Sequence, residues 1–296
     1  MKLVGFELSG QRRLGVIEGD EVVDLQAVDS RVPADVADWL RGPEGDLQTL
    51  GAIAHGAPRS ARLPLAGITY ALPVVRPNKV VCLGLNYMKH VKEGRYADDV
   101  PKYPTIFFRC MTSFTPHMSD MIRPQVSETF DYEAELAVVI GRRSKHLTMN
   151  NALDSVAAYT CANEGTIREF QRRTTQWDMG KNFDLSGSLG PWLVTADELP
   201  PGGQGLKIEC RLNGQVMQSD NTDNMMFPLR ETLVAITEGI TLEPGDIVLT
   251  GTPSGVGHAR KPPVWMRNRD VCEVEIEGVG VLRNRIADEP VSAVKN

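Results

Sequence analysis

The leading part of the chain alternates apolar and polar positions in short runs. Residues 1–28 show the period-two alternation of β-strands, and residues 33–54 show the three- and four-residue spacing of helices. Four prolines between residues 57 and 77 then interrupt the pattern, as in a connecting segment. We therefore predict a small amino-terminal α/β domain over residues 1–72 and a second domain over residues 73–296.

The second domain carries mostly strand-like patterns. Apolar runs at residues 79–85, 136–140 and 247–250 are bounded by Gly and Pro, which is typical of buried strands. Helical spacing occurs at residues 151–158 and at residues 228–238, where a proline suits the first turn. The pattern predicts an α+β fold in which strands dominate.

Composition narrows the class of protein. The 296 residues are 42% hydrophobic and 24% charged, as in globular proteins, and the net charge of −6 disfavours nucleic acid as a partner. No apolar stretch has the roughly 18 residues that a membrane span needs, and the amino terminus lacks the apolar block of a signal peptide. We expect no membrane association and a cytoplasmic location. The five cysteines form no C-x-x-C pair, which argues against a disulfide framework or a thiolate zinc site.

Acidic residues alternate at the start of one predicted strand. The alternation places Asp131, Glu133 and Glu135 on one face of a segment whose later positions are apolar on both faces. Side chains two apart on a strand lie roughly 6.5 to 7 Å from each other, so two carboxylates can converge on one hard divalent ion. Taken alone, the pattern fits a solvated acidic edge better than a metal site.

Two further motifs are weak when each is considered by itself. Glu164 ends an apolar segment and could be a first-turn residue that is favoured by a helix dipole. Residues 250–257, ThrGlyThrProSerGlyValGly, form a loop of small residues that would let the backbone approach a ligand closely. This loop is neither a Walker loop nor a nucleophile elbow, because it lacks the Gly-Lys-Ser/Thr and G-x-S-x-G spacings.

Taken together and in order, five segments resemble the fumarylacetoacetate hydrolase family. They contain strings such as DYEAELAVVIG and GDIVLTGTPSGVG, and they lie at residues 82–93, 131–141, 163–164, 177–195 and 242–257. The resemblance extends over about residues 75–288. It implies that the second domain is a mixed β-roll of this family.

The resemblance also implies a divalent cation, Mg²⁺ or Mn²⁺, held by Glu133, Glu135 and Glu164. The family usually has Asp at the third of these positions. Glu is longer by one methylene, about 1.5 Å, so the ion could sit differently here. Asp131 matches a position that joins the metal ligands in some members and stays outside them in others.

The resemblance assigns catalytic roles to three residues. His90 and Glu93 match a pair that sits on a mobile segment and activates water, and a spacing of three places them on one face of a short helix. Lys181 matches the active-site lysine, which would stabilise a developing oxyanion.

Further matched positions would bind the substrate. Thr252, with its neighbour Gly251, matches the loop that helps to hold the substrate carboxylate, and Gln171 matches a residue that can contact substrate. His258 directly follows this loop and could approach the same pocket. Each of these residues also has an ordinary structural interpretation.

The resemblance implies an enzyme that acts on a small oxo acid in the catabolism of aromatic compounds or sugar acids. We expect a hydrolase that cleaves a carbon–carbon bond in a 2,4-dioxo acid of the acylpyruvate or fumarylpyruvate type, giving pyruvate and a carboxylic acid. The alternative is an isomerase, tautomerase or decarboxylase that acts on 2-oxo or 2-hydroxy-ene dioic acids through a metal-bound enolate. The pair His90 and Glu93 favours hydrolysis.

A different class of function stays open, namely a degenerate relative that binds a metabolite without turning it over. The family resemblance further implies a homodimer.

Overall fold

Strands contribute more residues to the structure than helices do. The computed structural model describes residues 1–43, 45–94, 98 and 100–290, so the last six residues of the second predicted domain lie outside it. The described strands are β1 (Lys2–Leu8), β2 (Gln11–Glu18), β3 (Glu21–Asp24), β4 (Arg62–Pro64), β5 (Thr69–Ala71), β6 (Val80–Gly84), β7 (Thr105–Arg109), β8 (Phe114–Pro116), β9 (Met121–Arg123), β10 (Phe130–Asp131), β11 (Ala134–Ile140), β12 (Val156–Asn163), β13 (Thr166–Ile167), β14 (Gly187–Thr195), β15 (Lys207–Leu212), β16 (Gln215–Asn221), β17 (Ile247–Leu249), β18 (Val271–Ile276) and β19 (Gly280–Asp288).

The helices are short. Those that the structure describes are α1 (Leu25–Val28), α2 (Val36–Arg41), α3 (Leu47–His55), α4 (Met88–Glu93), α5 (Arg168–Gln171), α6 (Asp178–Lys181) and α7 (Leu229–Gly239). None of these described helices has the length and apolarity of a membrane span.

A twelve-stranded sheet organises the described part of the chain. Its strands run in the order β4-β3-β2-β1-β14-β12-β11-β17-β6-β7, with β5 added beside β1 and β8 beside β14. A second sheet has the order β16-β15-β18-β19-β9, and β10 pairs with β13 alone. The strand-rich α+β fold predicted from the sequence is confirmed.

The amino-terminal strands belong to the same sheet as the later ones. Lys2 and Leu3 of β1 pair with Val194 and Leu193 of β14, and β1 also pairs along its whole length with β2. The division of the chain near residue 72 stays a prediction, and a continuous sheet crosses it.

Both faces of the central sheet are buried. In β11, Leu136 and Val138 pack with the five-stranded sheet and α7, whereas Ala137 and Val139 pack towards the amino-terminal helices. Because successive side chains of a strand point to opposite faces, the part of a strand that is covered on both sides is apolar at successive positions, here 136–140. The continuous apolar run in the sequence has this cause.

Most of the predicted elements are present. The runs at 79–85, 136–140 and 247–250 form β6, β11 and β17, and the helical spacing at 33–54 and 228–238 gives α2, α3 and α7. Pro228 stands at the N-cap of α7, directly before its first turn.

The helix predicted at residues 151–158 is wrong. Only Ala152–Ser155 forms a short 3₁₀ turn, and the chain then enters β12. This strand pairs with β11 on one side and with β14 on the other. Sheet pairing on both edges therefore overrides the local helical spacing.

Candidate active site

Three carboxylates meet where β11 begins and β12 ends. The pairing of Ala134 with Asn163 places Glu133 and Glu164 side by side, and the Glu164 N–H donates to the Glu133 carbonyl at 2.8 Å. Together with Glu135, they are buried and offer ligand oxygens that all lie within 4.8 Å of one another. The structure thus brings together the three residues that the resemblance implies as metal ligands.

Lys181, at the end of α6, forms ion pairs with two of them. Its Nζ lies 2.5 Å from Glu133 Oε2 and 2.7 Å from Glu164 Oε2. Burial alone would lower the pKa of Lys181, but the two carboxylates outweigh burial and raise it. The lysine is therefore a buried ammonium group in the metal-free protein.

Arg168 is a second buried cation. Its Nε lies 2.7 Å from Asp131 Oδ2 and its Nη2 lies 2.5 Å from Glu133 Oε1. Asp131 also accepts from the backbone N–H groups of Gly257 and His258, at 2.7 and 3.0 Å. These contacts occupy Asp131, which stays outside the three-carboxylate cluster.

The charges at this site do not balance within the described residues. Four buried carboxylates, Asp131, Glu133, Glu135 and Glu164, lie beside two buried cations, Arg168 and Lys181, which form ion pairs with all of them except Glu135. With every group ionised, two negative charges are left over. Burial, and then repulsion from Glu164 and Glu133, raise the pKa of Glu135 well above its usual value. A divalent cation would neutralise the excess.

The carboxylate oxygens also fit such an ion chemically. Within the described part of the chain, Oε1 of Glu164 is buried and accepts no hydrogen bond, which is costly for a carboxylate oxygen. Glu135 Oε2 accepts from the Gly251 N–H at 2.7 Å. Oxygen-only donor sets of this kind suit hard ions such as Mg²⁺ and Mn²⁺. The residues present therefore fit a divalent cation held by Glu133, Glu135 and Glu164.

His90 and Glu93 form a hydrogen-bonded pair on α4. His90 Nδ1 lies 2.8 Å from Glu93 Oε1, and the Gly255 N–H donates to Glu93 Oε2 at 2.8 Å. Because a carboxylate only accepts, the proton of this bond is on Nδ1, and Nε2 of the neutral imidazole is left as an acceptor. The geometry prepares His90 to take a proton.

One pocket collects most of the predicted site residues. It is lined by the three carboxylates and by His90, Gln171, Lys181, Thr252 and His258. Two other predicted residues contact residues that line the pocket. Glu93 pairs with His90, and the backbone N–H of Gly251 donates to Glu135. Their roles in catalysis and binding stay predictions.

The sequence interpretation missed the function of Arg168. Its guanidinium ties Asp131 to Glu133, and its Nη1 donates to Gln171 Oε1 at 3.1 Å. The signal for it was present, since the residue lies four positions after Glu164, between two of the resembling segments. Its two carboxylate partners are about 35 residues away in sequence, so their pairing was not visible.

The comparison with family models decides the family. The model described as Fumarylacetoacetate (FAA) hydrolase C-terminal matches residues 79–287. The chain belongs to the fumarylacetoacetate hydrolase family. The resemblance inferred from five sequence segments is thereby confirmed, and with it membership in a family of enzymes.

Members of this family with known structure or curated function resemble the chain over nearly its whole length. The mitochondrial oxaloacetate tautomerase FAHD2A of Bos taurus is 40% identical over 294 residues, which is 97% of this chain and 91% of that protein. Fumarylacetoacetate hydrolase from Exiguobacterium antarcticum is 32% identical with a TM-score of 0.83, covering 98% of this chain and all of that one. Maleylpyruvate hydrolase from Sphingobium sp. SYK-6, in complex with manganese and pyruvate, is 26% identical with a TM-score of 0.80 and the same coverage.

These relatives correct two expectations. Carbon–carbon hydrolysis as the main activity is wrong, because the curated relatives at 40% identity are oxaloacetate tautomerases, an isomerase-type activity that matches the alternative. The pair His90 and Glu93 therefore does not imply hydrolysis, since the same pair can move a proton without adding water. The expected cytoplasmic location is contradicted too, because the same relatives are named as mitochondrial proteins.

Proposed function

We propose that this protein is a metal-dependent tautomerase that interconverts the keto and enol forms of a 2-oxo dicarboxylic acid, with oxaloacetate as the first candidate. The observation that carries the proposal is the 40% identity to a mitochondrial oxaloacetate tautomerase over 97% of the chain.

We propose Mg²⁺ or Mn²⁺ as the cofactor, held by Glu133, Glu135 and Glu164. The oxygen donors, and the excess of buried carboxylates over buried cations, support a hard divalent ion. The related maleylpyruvate hydrolase that binds manganese and pyruvate supports the same assignment. Such an ion would polarise the 2-oxo carbonyl as a Lewis acid.

The protein side chains would move the protons. Tautomerisation breaks a C–H bond at C3 and forms an O–H bond at the 2-oxygen, with no net gain or loss of atoms. His90 Nε2 is an acceptor because Nδ1 donates to Glu93, so His90 takes or returns the C3 proton. The Lys181 ammonium group stabilises the negative charge that develops on the 2-oxygen. This oxygen gains or loses its proton by exchange with water.

Neighbouring polar groups would bind the substrate. Thr252 presents a hydroxyl to the pocket, and Gln171 has its Oε1 occupied by Arg168, which leaves its Nε2 as a donor. Both donors suit a carboxylate. A homodimer stays a prediction from the family.

The test follows the absorbance of enol-oxaloacetate after it is mixed with metal-loaded protein, while pyruvate is assayed in parallel. The proposal expects faster conversion to the keto form with no matching release of pyruvate, and loss of the effect after chelation. A protein that binds Mn²⁺ and oxalate but leaves the conversion rate unchanged would be a binding protein, which overturns the proposal. Release of pyruvate at the rate of enol loss would indicate decarboxylation instead.

A further inference from the structure

The side chain of Gln218 joins two parts of the site that lie far apart in the sequence. Gln218 belongs to β16 in the five-stranded sheet and is 1% exposed. Its Oε1 accepts from the Ala134 N–H at 2.9 Å, between the ligands Glu133 and Glu135. Its Nε2 donates to Thr252 Oγ1 at 2.8 Å and to the Pro253 carbonyl at 2.7 Å.

The orientation of this amide follows from its partners. The backbone N–H of Ala134 can only donate, so it must face the oxygen of Gln218. The carbonyl of Pro253 can only accept, so it must face the nitrogen. Both Nε2 hydrogens are therefore used, one on Pro253 and one on Thr252.

This arrangement determines what the Thr252 hydroxyl can do. A hydroxyl has one proton to give, and Gln218 Nε2 offers it no acceptor. Thr252 is 4% exposed and lines the pocket that holds the three carboxylates. Its proton is thus available to an anionic group inside that pocket.

We infer that Gln218 is a positioning residue that holds the Thr252 hydroxyl as a hydrogen-bond donor towards the substrate carboxylate. The inference rests on the proposed function, because it assumes an oxo acid in the pocket. Gln218 touches neither substrate nor metal and acts only through Thr252. A purely structural role would instead make Gln218 a brace between β11 and the loop at residues 250–257.

An isosteric substitution separates these roles. Gln218→Glu keeps an acceptor for the Ala134 N–H but replaces Nε2 by an oxygen, so the Thr252 hydroxyl turns to donate to the new carboxylate. Thr252→Val removes the hydroxyl at nearly constant volume, and Thr252→Ser retains it. All variants are titrated by calorimetry with Mn²⁺ alone and then with oxalate at saturating Mn²⁺.

We expect Gln218→Glu and Thr252→Val each to weaken oxalate binding by about tenfold, as for loss of one hydrogen bond to a charged group. Thr252→Ser stays within about threefold of the wild type. The double variant binds oxalate no more weakly than Thr252→Val, because both changes remove the same interaction. Affinity for Mn²⁺ alone changes by less than about threefold in Gln218→Met, which adds no charge beside the carboxylates.

The inference is overturned if Gln218→Glu binds oxalate like the wild type, or if the losses of the two single variants multiply in the double variant. If Gln218→Glu does not fold, Gln218→Met replaces it, alone and combined with Thr252→Val. We again expect the double variant to bind oxalate no more weakly than Thr252→Val. Failure of the proposed function looks different. If the wild type binds oxalate but does not accelerate tautomerisation, the proposed reaction is wrong. The oxalate titrations of the single and double variants then still test the role of Gln218.

Discussion

The Gly255 N–H donates to the Glu93 carboxylate at 2.8 Å, across 162 positions of the chain. Gly255 has a φ of +102°, and a Cβ at this position would lie 2.3 Å from the Met217 carbonyl oxygen, so the loop needs glycine here. The contact connects the glycine-rich loop to α4. It also determines which way the Glu93 side chain can face.

Glu93→Gln should therefore stop proton transfer without loss of the fold. The Gly255 N–H would orient the new amide so that its oxygen replaces Oε2 and its nitrogen faces His90 Nδ1. His90 would then accept at Nδ1 and carry its proton on Nε2, which is the wrong tautomer for taking the C3 proton. We expect kcat for tautomerisation to fall by about 100-fold or more, measured by the decay of enol-oxaloacetate.

His90→Asn should give a similar loss, because it removes the proton acceptor itself. The matched control is His55→Asn, since His55 is an exposed histidine at the end of α3 and lies outside the pocket. If the His90→Asn and His55→Asn proteins are equally active and equally stable, His90 has no part in the mechanism.

Lys181→Met should destabilise the metal-free protein. Lys181 is 2% exposed and neutralises Glu133 and Glu164, and breaking a buried ion pair from one side costs about 3 kcal/mol. Saturating Mn²⁺ should restore part of this loss, because the ion compensates the same carboxylates. Urea unfolding with and without Mn²⁺ measures both effects.

The control for this variant is Lys207→Met, which removes an exposed lysine that pairs with Glu209 on the surface. Surface pairs contribute little to stability, so we expect almost no change in the free energy of unfolding and no dependence on Mn²⁺. A Lys181→Met protein that is as stable as this control would contradict the charge count at the site.

Binding of Mn²⁺ should strengthen as the pH rises. Burial and the neighbouring carboxylates raise the pKa of Glu135, so below that pKa the metal-free protein holds a proton that the ion must displace. Affinity is therefore lost as pH falls, and binding releases a proton. Calorimetry in buffers of different ionisation enthalpy counts the released protons, and Glu135→Gln should abolish the release. Proton uptake on binding would contradict this assignment.

Stability should also fall in mild acid because of His117. Burial, and then the charge of the Arg283 side chain, lower the pKa of His117 to about 4. The backbone N–H of Arg283 also donates to His117 Nδ1 at 3.0 Å. The unfolded chain takes up this proton near pH 6.5, so stability is lost as pH falls from about 6.5 to about 4.

The side chain is only partly buried, so we expect its share of this loss to be about 1–2 kcal/mol. His117→Asn retains an acceptor for Arg283 but cannot titrate. The free energy of unfolding of this variant should depend less steeply on pH over that window than that of the wild type. Parallel curves for the two proteins would show that His117 has no part in the acid sensitivity.

The local part of the site could be predicted from the sequence. Period-two alternation placed Glu133 and Glu135 together, and a spacing of three placed His90 and Glu93 on one helix face. These relations depend only on the geometry of one element. The strand-rich fold followed for the same reason, since each apolar run is itself a strand.

The long-range part could not be read from the sequence. Arg168 pairs with Asp131, and Gln218 supports Thr252 from a different sheet. Nothing local marks the partners of either residue, because these partners depend on which strands become neighbours. The choice between hydrolysis and tautomerisation was wrong for a related reason, since the residues proposed to hold the ion and to move the proton would serve both reactions.

The most direct test of the central claim is the anomalous scattering of manganese in crystals grown with Mn²⁺ and oxalate. The account predicts a peak within about 2.2 Å of carboxylate oxygens of Glu133, Glu135 and Glu164, with oxalate completing the coordination. No peak between these three side chains at saturating Mn²⁺, or a peak elsewhere with the three carboxylates still paired to Lys181 and Arg168 alone, would contradict it.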